Sequence, residues 1–143
     1  MTIDLRDPRQ LTRVLARGRL IMGLTAVVLP RLGGSLLGVT PRSGPARFYV
    51  RAAGIRDALI GLGMEMSVRE GRYPQGWVGI AGVADAGDAL AALVTRGLTT
   101  RGRMLSLFAT GSAAVHLQLA RQLDELDTAE GGLGGAPPDM SPI

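Results

Sequence analysis

Four stretches of this chain are each about as long as the hydrocarbon layer of a bilayer is thick, and the middle two carry charges near their centres. They cover residues 20–37, 48–68, 76–95 and 104–120. At about 1.5 Å per helical residue, such lengths match a layer of roughly 30 Å. The second stretch holds Arg56 and Asp57, the third Asp85 and Asp88, and the fourth His116. Ionisable groups inside an apolar helical bundle are costly, so they must be compensated or used.

Insertion energies sharpen the problem. An Asp at a helix centre costs about 2.5–3.5 kcal/mol, and each Leu, Ile or Val returns only about 0.3–0.6. The third stretch sets two Asp against six such residues. Alone it should not insert. The second meets the same obstacle with Arg56 and Asp57. The two become plausible spans together, with arginine facing carboxylate. The membrane reading therefore predicts an interhelical ion pair between Arg56 and either Asp85 or Asp88.

Other features favour the membrane. Gly54, Gly61, Gly63, Gly79, Gly82, Gly87 and Gly111 fall inside the helical stretches. Glycine costs a helix in water about 1 kcal/mol relative to alanine, whereas in lipid small residues let helices approach closely. Phe48, Tyr49, Tyr73 and Trp77 stand at segment entrances, where interfacial rings belong. No useful period-2 alternation occurs, so no sheet is expected. A soluble helical bundle is the alternative.

Charge and punctuation set the borders. All 16 basic residues are arginine, and cysteine is absent, which excludes disulfides and thiol chemistry. The arginines flank the apolar stretches and form no single stripe, and few aromatics could stack on bases, so nucleic acid is not an expected partner. Asp7-Pro8 reads as an N-cap followed by a helix start. Leu11, Val14 and Leu15 then give either a short basic amphipathic helix or the solvated start of the first span. The first 19 residues, with five Arg and two Asp, lack the apolar core of a secretion signal. Residues 1–123 are expected to form the bundle. Residues 124–143, acidic and then rich in Gly and Pro, are expected to be a disordered tail. The tail's glycine run resembles a phosphate loop only superficially, since no strand precedes it and no helix follows. Eight arginines lie on the side of the termini and six on the other, so the positive-inside rule places both termini in the cytoplasm.

Helical geometry groups the charges. Asp85 and Asp88 share a face with Val78, Ala81 and Ala92, and Arg56 and Asp57 with Ala53, Ile60 and Met64. His116 shares a face with Ser112, Ala113 and Ala109. Turned inward, these faces enclose carboxylates, an arginine and a histidine among small residues that leave room for a guest. One reading is an ion-pair network that only fixes helix register. The other is acid–base work on a lipophilic small molecule. Crowded carboxylates cannot all ionise, so one would hold a proton near neutrality. Asp57, Asp85 and Asp88 are then the candidate catalytic acids and bases, and Arg56, His116 and Ser112 the candidate substrate-binding residues. Asp85 and Asp88 alone make a poor cation site without a second acidic cluster, so neither metal nor other cofactor is expected.

The segments Arg19-Leu-Ile-Met-Gly-Leu, Gly54-Ile-Arg56-Asp57 and Asp85-Ala-Gly-Asp88-Ala carry a resemblance to small DoxX-like four-helix membrane proteins common in actinobacteria. The likeness covers roughly residues 13–120 and implies fold and membrane location, with no activity to transfer. The sequence thus predicts an all-α protein: a multi-pass, four-helix transmembrane bundle of the cell membrane, with a short N-terminal amphipathic helix and a disordered C-terminal tail. Its expected partners are membrane lipid, a lipophilic small molecule and, through small-residue faces such as Ala109/Ala113, a second copy of itself.

Overall fold

A computed structural model describes residues 4–36, 38, 40–98 and 100–134. The described residues are all-helical, in five helices: α1 (Pro8–Val28), α2 (Pro30–Leu36), α3 (Gly44–Glu70), α4 (Pro74–Val94) and α5 (Thr100–Gly134). The four long helices alternate in direction, with α2 a short connector. Packing is unequal. α1 lies chiefly against α3, and α4 against α5, while the α3–α4 and α1–α5 contacts are sparse.

Local chemistry sets the boundaries. The Asp7 carboxylate accepts from the Arg9 backbone N–H, and Pro8 opens α1. Ser43 caps α3 by accepting from the Ala46 N–H. Gly71 ends α3 in the left-handed region, at φ 64°, where a side chain would be strained.

Three boundaries differ from the sequence reading. The basic start of α1 and the apolar run after it form one continuous helix, so no separate amphipathic helix exists. The expected first span, 20–37, is broken at Leu29, because Pro30 cannot continue the hydrogen-bond ladder and disfavours helical backbone in the residue before it. Lastly, α5 runs to Gly134, so residues 124–134, expected to be disordered, are helical; residues 135–143 lie outside the described part. The reason is visible in its partners. Leu123 is buried in the core, and Glu130 accepts from Arg9 of α1 at 2.7 Å. One acid of the expected tail thus answers an arginine of the first helix.

The all-helical class is as expected, but four membrane spans are not shown. Among the described helices, α4 alone is long and apolar enough to cross a membrane. In α1 the apolar stretch stops at the Leu29 break. α3 carries Arg51, Arg56, Asp57 and Glu65, and the uncharged run of α5 is diluted by Ser106, Thr110, Ser112 and Gln118. Even so, large apolar side chains cover the outside of the long helices: Ile21 and Leu24 on α1, Leu59 and Leu62 on α3, Val83 and Leu90 on α4, Leu107 and Phe108 on α5.

The apolar core is small and lies toward the α3–α4 turn, with Ala16, Ile60, Met64, Val78, Ala81, Leu119 and Leu123 at its centre. The α1–α3 crossing is closer than side chains permit. A Cβ on Gly23 would stand 2.5 Å from the Gly54 carbonyl oxygen, and one on Gly61 2.7 Å from the Ala16 oxygen. Trp77 of α4 lies against Gly63 in the same way. Gly79, Gly87 and Gly111, by contrast, have open space where a side chain would go, so they do not serve close packing within the chain.

Two outcomes follow. Gly61→Val or Gly54→Val should lower stability in a chemical denaturation titration by about 1–3 kcal/mol, the usual cost of overpacking, whereas Gly79→Ala should be neutral or better. The second concerns the cap. Burial favours the protonated Asp7 carboxyl, but hydrogen bonds from Arg9 and Gln10 and the Arg9 charge outweigh it and hold the carboxyl below the ordinary aspartate range. A carboxyl with a depressed folded pKa stabilises the fold above its unfolded value and loses that contribution as pH falls through the folded one. Asp7→Ala should therefore cost about 1 kcal/mol at neutral pH, and the difference from the parent should vanish in acid melts.

Candidate functional site

One turn along from the apolar core, every long helix presents polar groups inward. Ala16 gives way to Arg19, Ile60 to Asp57 and Arg56, Ala81 to Asp85 and Asp88, and Leu119 to His116 and Ser112. The groups form one connected network. Arg19 donates through Nη1 to Asp57 at 2.9 Å and through Nη2 to Asp85 at 2.5 Å. Arg56 grips Asp88 with both amino groups, at 2.8 and 2.6 Å, and reaches Asp57 of its own helix at 3.3 Å. Ser112 Oγ donates to the second oxygen of Asp85 at 2.7 Å, and His116 Nδ1 lies 3.3 Å from that same oxygen.

The network runs from dry to wet. The Arg19, Asp85 and His116 side chains are 10%, 11% and 4% exposed, whereas Arg56 and Asp88 are 38% and 49% exposed. The sparse α3–α4 contact accounts for the gradient. Arg56 and Asp88, which bridge those two helices, form the exposed end of the network.

All six candidates from the sequence, Asp57, Asp85, Asp88, Arg56, Ser112 and His116, meet here. The expected ion pair is Arg56 with Asp88. Asp85 instead pairs with Arg19, which sequence reasoning placed at a border and left out. A signal for it exists: Thr12, Ala16, Gly23 and Ala26 are the buried positions of α1, and Arg19 falls on their 3–4 spacing. The pairing also corrects the crowding argument. Each carboxylate accepts from a guanidinium, so none is forced to share a proton with another. A second buried acid, Glu65, lies on the same face of α3 as Gly61 and is clamped by Arg17 of α1 at 3.2 Å and by Arg69 at 3.0 Å.

Ser112, His116 and Asp85 do not form a nucleophilic triad. The serine hydroxyl donates to the aspartate and not to the imidazole, so nothing activates it. His116 Nδ1 faces two acceptors, Asp85 and the Ser112 carbonyl oxygen at 2.8 Å, which assigns its hydrogen to that nitrogen. Nε2 is then left buried without a partner. Three carboxylates face two guanidiniums in this network, so it is one positive charge short with a neutral ring. Protonating His116 balances the charge but gives the buried Nε2 a hydrogen with no acceptor. Among the described residues no group of three His, Asp or Glu side chains could hold a metal ion. Comparison with family models, characterised proteins and solved structures returned no match.

Arg19→Met should be the most damaging single change in this network. It leaves Asp85 without a guanidinium and Asp57 with only the longer contact to Arg56, both side chains one-quarter exposed or less, and should cost about 3–5 kcal/mol in chemical denaturation. Arg19→Met/Asp57→Asn/Asp85→Asn removes the charges together and should recover most of that loss.

Proposed function

We propose that this chain is a multi-pass membrane protein of four membrane-embedded helices, and that its polar network receives the polar end of a lipophilic small molecule and exchanges a proton with it. The supporting observation is the charge count around His116: three carboxylates, two guanidiniums and one buried imidazole with a bare nitrogen. Neither protonation state satisfies such a network fully, which suits a site that accepts and returns a proton. The outer pair is its entrance. Arg56 would bind a carbonyl, carboxylate or hydroxyl oxygen and stabilise developing negative charge there. Asp88, released from Arg56, would be the proton donor or acceptor. Isomerisation, cyclisation and hydration all fit this acid–base pair.

Inverted polarity favours the membrane location. Leucine, isoleucine, valine and phenylalanine cover the outside while the charges turn inward, and inward pairing relieves the insertion cost that α3 and α4 could not bear singly. A second reading has its own support. Asp57 and Asp85 are paired completely, as expected of a network that only locks four helices in register.

Two measurements separate these readings. On alkaline carbonate washing the chain should stay in the membrane pellet; recovery in the supernatant would remove the membrane reading. In lipid extracts of producing cells, Asp88→Asn should leave the protein folded and inserted while a lipophilic precursor accumulates. That precursor should equal the product in mass or be lighter by one water. Unchanged extracts together with a lowered melting midpoint would establish the lock instead.

A further inference from the structure

A cleft of about 350 Å³ opens where α1 breaks into α2 and the first turns of α3 pass beside the break. Three arginines line it, Arg31 from α2 and Arg47 and Arg51 from α3, together with the apolar Val28, Leu29 and Leu32. The spacing of 47 and 51 places both on one face of α3.

Among the described residues no carboxylate answers them. The sequence has no acidic residue between Asp7 and Asp57, and none between Asp88 and Asp124, so this end of the bundle is built from arginine alone. Arg51 Nε donates to the Val27 carbonyl oxygen at 3.1 Å, one of the acceptors left open at the end of α1. That bond fixes the guanidinium at the cleft and leaves its two amino groups unengaged. Among the described residues, the Arg31 and Arg47 side chains form no hydrogen bond or ion pair. The arrangement is unlike that of Arg19 and Arg56, whose charges are spent on aspartates.

Three arginines lining one cleft without a counter-charge among the described residues repel one another and favour an anion there. Phosphate oxygens match guanidinium forks best, since each fork can donate two parallel hydrogen bonds. A free phosphate would have no use for the remaining wall. Val28, Leu29 and Leu32 are large, apolar and at least half exposed, and Leu36 extends the same surface. A ligand with a phosphate head and hydrocarbon chains satisfies both halves of the cleft. We propose that the cleft at the α1–α2 break binds the phosphate group of a lipid, with Arg31, Arg47 and Arg51 around the phosphate and the lipid chains along Val28, Leu29 and Leu32. This site lies apart from the Arg56–Asp88 entrance and does not depend on the acid–base reading.

The test uses the full chain in neutral detergent at fixed ionic strength, with dioleoyl phosphatidic acid, dioleoyl phosphatidylcholine and inorganic phosphate as probes and native mass spectrometry as the readout. Phosphatidic acid should bind roughly tenfold or more above phosphatidylcholine, and Arg31→Gln/Arg47→Gln should remove that preference. Arg101→Gln/Arg103→Gln takes the same charge from the same end outside the cleft and should change binding by less than about twofold. Equal losses in the two variants would reduce the effect to diffuse attraction and overturn the proposal. So would displacement of the lipid by an equal concentration of inorganic phosphate, because the chains would then contribute nothing. Should Arg47→Gln disturb the first turn of α3, seen as an early melt, Arg31→Gln alone carries the comparison.

Discussion

Arg19 joins two helix pairs that otherwise have little to hold them together. α1 packs on α3 and α4 packs on α5, but the contacts between the pairs are few. One guanidinium on α1 reaches Asp57 in its own pair and Asp85 in the other. Ser112 and His116 then fasten Asp85 to α5, so α1, α4 and α5 meet on a single carboxylate and α3 joins them through Asp57 on the same guanidinium. The apolar core beside this point is modest, centred on two alanines, two leucines and one each of isoleucine, valine and methionine. Register between the pairs is thus set by directional bonds more than by shape.

This choice has a physical cost and a physical return. Burying an ion pair in water-soluble proteins seldom gains stability over a well-packed apolar substitute. In a hydrocarbon surround the alternative for each charge is worse, since no water is available to either partner. The outward faces of the helices suit such a surround, with Leu24, Leu59, Val83 and Phe108 among the exposed large side chains. Inward charges and outward apolar side chains go together here, with the directional bonds carried inside the bundle.

Much of this was readable from the residues, and the misreadings have definite causes. The helical class, and an ion pair from Arg56 to either Asp85 or Asp88, followed from periodicity and insertion energy; that the partner is Asp88 did not. Arg19 escaped because an arginine at the edge of an apolar run normally marks a border; only the small-residue stripe through Thr12, Ala16, Gly23 and Ala26 reveals its direction. Glu65 escaped for a related reason. A charge near a segment end commonly reaches for the surface, but the face of α3 that carries Glu65 is the one covered by α1. The extension of α5 to Gly134 was hidden by composition, since acidic and glycine-rich sequence predicts disorder unless a partner is known. Arg9 is that partner for Glu130, and pairs so distant in sequence leave no local trace.

The backbone-to-backbone approach of α1 and α3 fixes where such a bundle can vary. At Gly23, Gly54 and Gly61 the nearest obstacles include peptide atoms of the opposite helix, which cannot rotate away. At Gly82, on the α4–α5 side, the obstacles are the Leu117 and His116 side chains, the leucine terminus free to repack. Descendants of this sequence that need a wider or narrower interior must therefore remodel the α4–α5 wall and leave the α1–α3 wall as it stands. Half of the molecule is a fixed template, and diversification is confined to the other half.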